Sequence, residues 1–164
     1  MRRALTLAHR AAAGAGWGAA RAGVCVLALL AAGHAAALEF RATLEPATIL
    51  YDGPSQKARK VFVVGRDYPF EVVVTLEGWV KVRDMAGTPL AWVERKALGD
   101  KRIVVVKVPV ADVLAAGESG ARTVFRTEQN VLLELVEPPV SGWAKVRHRD
   151  GQTGFISISQ VWGL

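Results

Sequence analysis

The sequence predicts an all-β fold: two small β-barrels in tandem behind a cleaved signal peptide. Three observations carry this reading. The region after residue 37 is a series of short Val, Ile, Phe and Trp runs separated by Gly and Pro, with little helical periodicity. A six-residue stretch built on Gly-Trp recurs 64 positions later, which marks a duplicated unit. The first 37 residues carry four arginines and no acid and lead into an apolar run, unlike anything downstream.

The leader comes first. Arg2, Arg3 and Arg10 precede the apolar run Val24 to Ala32, after which Ala35 and Ala37 supply the small residues that a signal peptidase requires. The run is close to the ~7–15 residues of a signal core and short of the ~20 that a membrane span needs. Cleavage is therefore expected after Ala37, with a mature chain starting at Leu38 in the periplasm or outside the cell and containing no membrane span. The competing reading keeps the leader as an anchor, because the stretch before the core is long and Arg21 sits close to it. Arg2 and Arg3 hint at a twin-arginine signal, but the residues after them fit that pattern poorly. Cys25 lies inside the apolar run behind Val24, whereas a lipidated cysteine follows a small residue at the end of such a run. It is the sole cysteine in 164 residues, so a cleaved chain has no disulfide, no thiolate metal site and no cysteine nucleophile. The charge balance is also mostly a property of the leader. Of 21 Lys and Arg, four lie in it, leaving 17 against 15 Asp and Glu. That near balance argues against a nucleic-acid surface.

The strands follow. Lys60 to Val64, Phe70 to Leu76, Trp79 to Arg83, Ala91 to Val93 and Arg102 to Val108 are apolar or alternating runs. In Trp79-Val80-Lys81-Val82-Arg83 the alternation sets Trp79, Lys81 and Arg83 on one face and the two valines on the other. Asp84 to Gly87 and His148 to Gly151 read as hairpin turns closed by glycine. The repeat relates Gly78-Trp79-Val80-Lys81-Val82-Arg83 to Gly142-Trp143-Ala144-Lys145-Val146-Arg147, Ala91-Trp92-Val93 to Gly154-Phe155-Ile156, and Glu71-Val72 to Glu134-Leu135. Each copy spans about 57 residues, few enough that aromatic residues must do much of the burying. Trp92 and Phe155, each behind a small residue in an apolar strand, are expected in the core, and Trp79 and Trp143 half exposed. The basic stretch Arg95 to Arg102 is the junction, dividing the chain into residues 1–37, 38–99 and 100–164. With so short a linker the barrels are expected to pack together or exchange an edge strand through Arg102 to Val108.

The order Leu-x-x-Gly-Pro-Ser (Leu50 to Ser55), Gly-Trp-x-Lys-Val-Arg, a turn glycine, then small-aromatic-Val/Ile resembles the bacterial SH3-like (SH3b) domain, present as two copies. Two departures stand out. Ala91 replaces a usual glycine in the first copy. The second copy has Ala115-Ala116-Gly117-Glu118 for Asp52-Gly53-Pro54-Ser55, and Leu114 for Tyr51. The resemblance implies two SH3-like barrels and a non-catalytic module that recognises peptidoglycan, cell-wall peptide or another protein.

The residues supply little chemistry of other kinds. His148 is the only histidine after the leader and sits in a predicted turn, where no partner orients it as a base. One histidine without cysteine does not make a transition-metal site. Glu71 with Glu77, and Glu134 with Glu137, are spaced for strand surfaces and loop edges, not for an enclosed pair of catalytic carboxylates. No phosphate-binding glycine loop occurs after the leader, and no cofactor is implied. What remains is a binding surface. Tyr51, Trp79, Lys81 and Arg83 in the first copy, and Trp143, Lys145 and Arg147 in the second, are its candidate residues, since aromatic rings beside cations suit sugar or peptide. The expected function is that of a non-catalytic extracytoplasmic binding protein for peptidoglycan or an envelope protein, using a groove around Tyr51, Trp79 and Trp143. The alternative is an assembly accessory that holds an envelope complex together without a small ligand.

Overall fold

The computed structural model describes residues 38–87 and 90–164. The predicted leader and its cleavage after Ala37 lie outside them. Fourteen short strands follow one another. The first seven are β1 (Phe40–Thr43), β2 (Thr48–Tyr51), β3 (Lys60–Val64), β4 (Pro69–Leu76), β5 (Trp79–Arg83), β6 (Ala91–Glu94) and β7 (Leu98–Gly99). The second seven are β8 (Ile103–Val106), β9 (Val110–Leu114), β10 (Thr123–Glu128), β11 (Leu132–Leu135), β12 (Trp143–Arg147), β13 (Thr153–Ser157) and β14 (Val161–Trp162). Each seven forms one antiparallel sheet. The orders, β3-β2-β6-β5-β4-β1-β7 and β10-β9-β13-β12-β11-β8-β14, are the same pattern twice. Among the described residues the helical content is confined to the single 3-10 turns Arg95–Ala97 and Ile158–Gln160, and no helix is long and apolar enough to cross a membrane.

The predicted turns close as expected. The Gly87 N–H reaches Asp84 O at 3.0 Å and the Gly151 N–H reaches His148 O at 2.9 Å. Both glycines hold positive φ, 80° and 94°, a conformation that a side chain would strain. Alternation along β5 also holds, with Val80 and Val82 buried and Trp79, Lys81 and Arg83 on the outer face.

One open expectation is resolved and two change. Of the packed and the strand-exchanged arrangements the halves adopt the packed one: β8 pairs with β11 and β14 in its own sheet, filling the slot that β1 fills in the first half, beside β4 and β7. Trp92 and Phe155 are not core residues. Ala91 and Val93 point inward and Trp92 outward, opposite Lys81. Gly154 and Ile156 point inward and Phe155 outward, opposite Lys145. The small residue is the interior one because the barrel is narrow there: a Cβ on Gly154 would lie 2.7 Å from both Leu114 O and Val113 Cγ1. The cores are also mostly aliphatic. Leu50, Phe70, Val80, Val82, Ala91 and Val93 fill the first, and Val104, Val106, Val113, Leu133, Val146 and Ile156 are central to the second.

Two contacts among the described residues join the halves in a way that bears on the surface. The Phe40 ring of β1 packs edge-on against Trp162 of β14, centroids 5.0 Å apart, with the Arg102 guanidinium 5.9 Å from the Phe40 ring. On another side Lys101, in the connecting segment, reaches Asp67 of the first half at 3.2 Å and Glu134 of the second at 3.9 Å.

Candidate functional site

Three strands assemble an aromatic face on the first half. Register places Tyr51 of β2 and Lys81 of β5 on either side of Trp92 in β6. The Lys81 ammonium stands 5.8 Å from the centre of the Trp92 ring, close enough for a cation–π attraction. Trp79 lies two residues before Lys81 on the same face, and its ring meets Tyr51 edge-on at 5.4 Å. Tyr51 is only 7% exposed, so it acts as the wall that fixes Trp79. Trp79 and Trp92 remain half-buried.

The loop after β2 forms the opposite bank. The Asp52 and Arg59 backbones bond at 3.0 Å, and the Asp52 carboxylate accepts from both the Arg59 N–H and its Nε at 3.0 Å. This closes the base of the loop. At its crown Gln56 Nε2 donates to Glu94 Oε1 at 2.7 Å. A groove of about 480 Å³ runs between Pro54, Ser55, Gln56 and Lys57 on one bank and Gly78, Trp79 and Glu94 on the other. The Lys96 ammonium, and then the Gln56 amide, hold the Glu94 carboxyl below its ordinary pKa. The groove thus offers an indole face, a fixed carboxylate and amide and lysine donors, an arrangement suited to an uncharged or peptide-like ligand.

The remaining predicted residues go elsewhere. Arg83 forms a two-pronged pair with Glu71 at 3.0 and 2.5 Å, which withdraws it from the aromatic face. In the second half Trp143 is half-buried on the equivalent face of its own sheet. There the loop backbone lies against it: a Cβ on Gly117 would be 3.2 Å from Trp143 and 3.4 Å from Phe155. Lys145 pairs with Glu137 at 2.5 Å, and Arg147 lines a separate cleft at the junction of the halves. The structure therefore brings Tyr51, Trp79 and Lys81 together and leaves Trp143 outside the groove around them. Sequence reasoning missed Trp92, Gln56 and Glu94 as members of the face. Opposing the alternation of β5 to β6 would have revealed Trp92, since a residue facing Lys81 cannot also face the core.

His148, the one histidine after residue 37, lies outside the groove. His148 Nδ1 lies 3.0 Å from Asp150 Oδ2 within its own turn, and its ring rests 5.9 Å from Phe125. The Gln152 backbone N–H and then His148 lower the Asp150 pKa, so this pair stabilises the turn. Among the described residues there is no group of three or more His, Cys, Asp and Glu placed to hold a metal ion.

The family model for the bacterial SH3 domain matches twice, at residues 45–100 and 109–163. Among solved structures, NlpC2 from Trichomonas vaginalis is 15% identical with a TM-score of 0.36, over 77% of this chain and 48% of that one. NlpC1 from the same organism is 16% identical with a TM-score of 0.33, over 76% and 45%. An NlpC/P60 family protein from Bacillus cereus ATCC 10987 is 13% identical with a TM-score of 0.34, over 76% and 56%. The chain spans about half the length of each. Comparison with curated proteins gave no match.

Proposed function

The chain belongs to the bacterial SH3 domain family through both of its halves, and we propose that it is a non-catalytic, extracytoplasmic binding protein for peptidoglycan or its peptide. The observation that carries this is the open groove beside Trp79, where a half-buried indole is braced by Tyr51 and faced by a loop tied down through Gln56 and Glu94. A braced ring loses little freedom when it binds, which makes it a good anchor. The leader read from the sequence supplies the route out of the cytoplasm.

The test is retention on purified, insoluble peptidoglycan. Wild-type protein is expected in the pellet, and Trp79→Ala in the supernatant with its fold unchanged by circular dichroism. Wild-type protein in the supernatant would sink the proposal. One observation favours the assembly-accessory reading: the edge strand β3 leaves Phe62 and Val63 47% and 66% exposed, and an uncovered apolar edge is suited to pairing with another chain. Failure to pellet, together with an envelope protein that co-purifies with wild type and is lost on Val63→Lys, would favour that reading.

A further inference from the structure

Where the halves meet, a cleft of about 450 Å³ opens between the turn before β4, the connecting segment and the turn after β12. Arg66, Lys101, Arg147 and Arg149 bring four fixed positive charges to it, and Asp67 and Glu134 bring two carboxylates. We propose that this cleft is a second binding site, separate from the Trp79 groove, that takes the carboxylate of a peptide ligand.

The two halves themselves supply the argument. Glu71 stands opposite Arg83 between β4 and β5, and Glu134 stands opposite Arg147 in the same register between β11 and β12. In the first half the pair closes, with two bonds. In the second, Lys101 draws on both Glu134 and Asp67, and Arg147 makes no ion pair or side-chain hydrogen bond among the described residues. Arg66 and Arg149 are likewise unpaired there. Three guanidinium groups therefore share a cleft whose carboxylates already have a lysine. A guanidinium offers a planar pair of donors that matches a carboxylate or phosphate in two-pronged fashion.

The cleft's own acids decide between those ligands. Asp67 and Glu134 cut the cleft's four positive charges to a net of two, and a single guanidinium already satisfies both oxygens of a carboxylate in its plane, whereas the further oxygen of a phosphate ester would face those acids. The walls are already in place. Asp67 and Asn130 occupy equivalent turns at positive φ, 62° and 68°. Their N–H groups are fixed to Thr43 O at 2.9 Å and Val106 O at 2.8 Å. The wall backbone therefore needs little ordering when a ligand enters, and the ordering cost falls on the arginine side chains. The cavity volume falls within the ~300–1,000 Å³ usual for small-ligand sites, enough for a peptide end.

The experiment is an NMR titration of the purified protein with N-acetyl-alanyl-alanine bearing a free carboxylate, with its C-terminal amide, and with inorganic phosphate. The free peptide is expected to shift the Arg147 and Arg149 side-chain Nε–H signals saturably, and the amide to leave them in place. Arg147→Gln and Arg66→Gln are each expected to weaken binding ~tenfold or more. Arg126→Gln, which removes a guanidinium paired with Asp112 outside the cleft, should leave it unchanged. The proposal is overturned if the free peptide causes no saturable shift, if the amide binds as well, if phosphate binds more tightly, or if Arg147→Gln binds like wild type.

Discussion

Glu71 and Glu134 occupy the same place in two copies of one sheet, and they do different things. Glu71 is nearly buried and grips Arg83 twice; Glu134 is more exposed and leans toward Lys101. The difference lies in what surrounds each copy. The second copy's strand end borders the junction, where the connecting segment brings in a competing cation. The loops diverge in parallel. Pro54 to Lys57 stands off Trp79 and leaves a groove, while Gly117, in the position of Pro54, lets the backbone settle on Trp143 and Phe155. A duplicated fold keeps its interior and its hairpins, and specialises where one copy meets the other or where a loop changes length of side chain. In this chain the result is one open aromatic groove and one shared basic cleft instead of two identical sites.

The interior gives the largest effects by which to sharpen this comparison. Ala91 in the first half and Gly154 in the second hold the same position, yet a methyl group at Gly154 would press on Leu114 O and Val113 Cγ1 at 2.7 Å. Gly154→Ala is expected to destabilise by about 1–3 kcal/mol through overpacking, and Ala91→Gly by about 0.5–1 kcal/mol through lost backbone restraint. Urea melts of the two variants check this. A neutral Gly154→Ala would mean that the second interior is as roomy as the first.

The ion pairs come next. Arg83→Gln leaves the Glu71 carboxylate, 9% exposed, without its charged partner. The expected loss is measurable and larger than that of Arg147→Gln, though reduced because the arginine itself is partly solvated. Arg147→Gln, with no partner to strand, should stay within about 0.5 kcal/mol. Equal losses in the two melts would show that Arg147 is engaged after all and would break the contrast between the halves.

The smallest effect is alkaline. Burial, then the charge of Asp84 and the hydrogen bond to it, raise the Tyr68 pKa. The phenol keeps its proton more firmly in the folded state, so its contribution to stability is complete below the ordinary tyrosine pKa and disappears as pH rises through the folded value. Val131 holds the equivalent place in the second half and has nothing to ionise. The loss of stability as the pH rises above about 10 should therefore be smaller in Tyr68→Phe than in wild type. An unchanged slope in the pH-dependent melts would remove Tyr68 from the account.

Much of the fold was legible because its signals are local. The limits of β5 follow from alternation, from Gly78 just before it and from the Asp84-to-Gly87 turn after it, and the repeat supplied the second hairpin from the first. Trp92 and Phe155 were misplaced because Ala91-Trp92-Val93 and Gly154-Phe155-Ile156 are apolar throughout, so neither strand carries its own in-out phase. That phase came from the neighbour, through Lys81 and Lys145. Of the site, Tyr51, Trp79 and Lys81 were legible as aromatic and basic residues on or near one alternating face. Gln56 and Glu94 were not, because a bond across 38 residues leaves no local trace. The cleft was equally hidden, since Arg66, Lys101 and Arg147 become neighbours only once the halves have docked.

The contact between Phe40 and Trp162 has a geometric consequence. Each residue lies two positions from an end of the 38–164 segment, and their rings nearly touch, so both ends leave the molecule at one corner. Every strand pair among the described residues lies within a half. The order in which the halves are strung is thus not written into the pairing: joining residue 164 to residue 38 through a short bridge and opening the chain at the exposed Asp100 would give a circular permutant with the same neighbours throughout. By the same geometry, anything fused to either end hangs from a single point, like two cords tied to one ring.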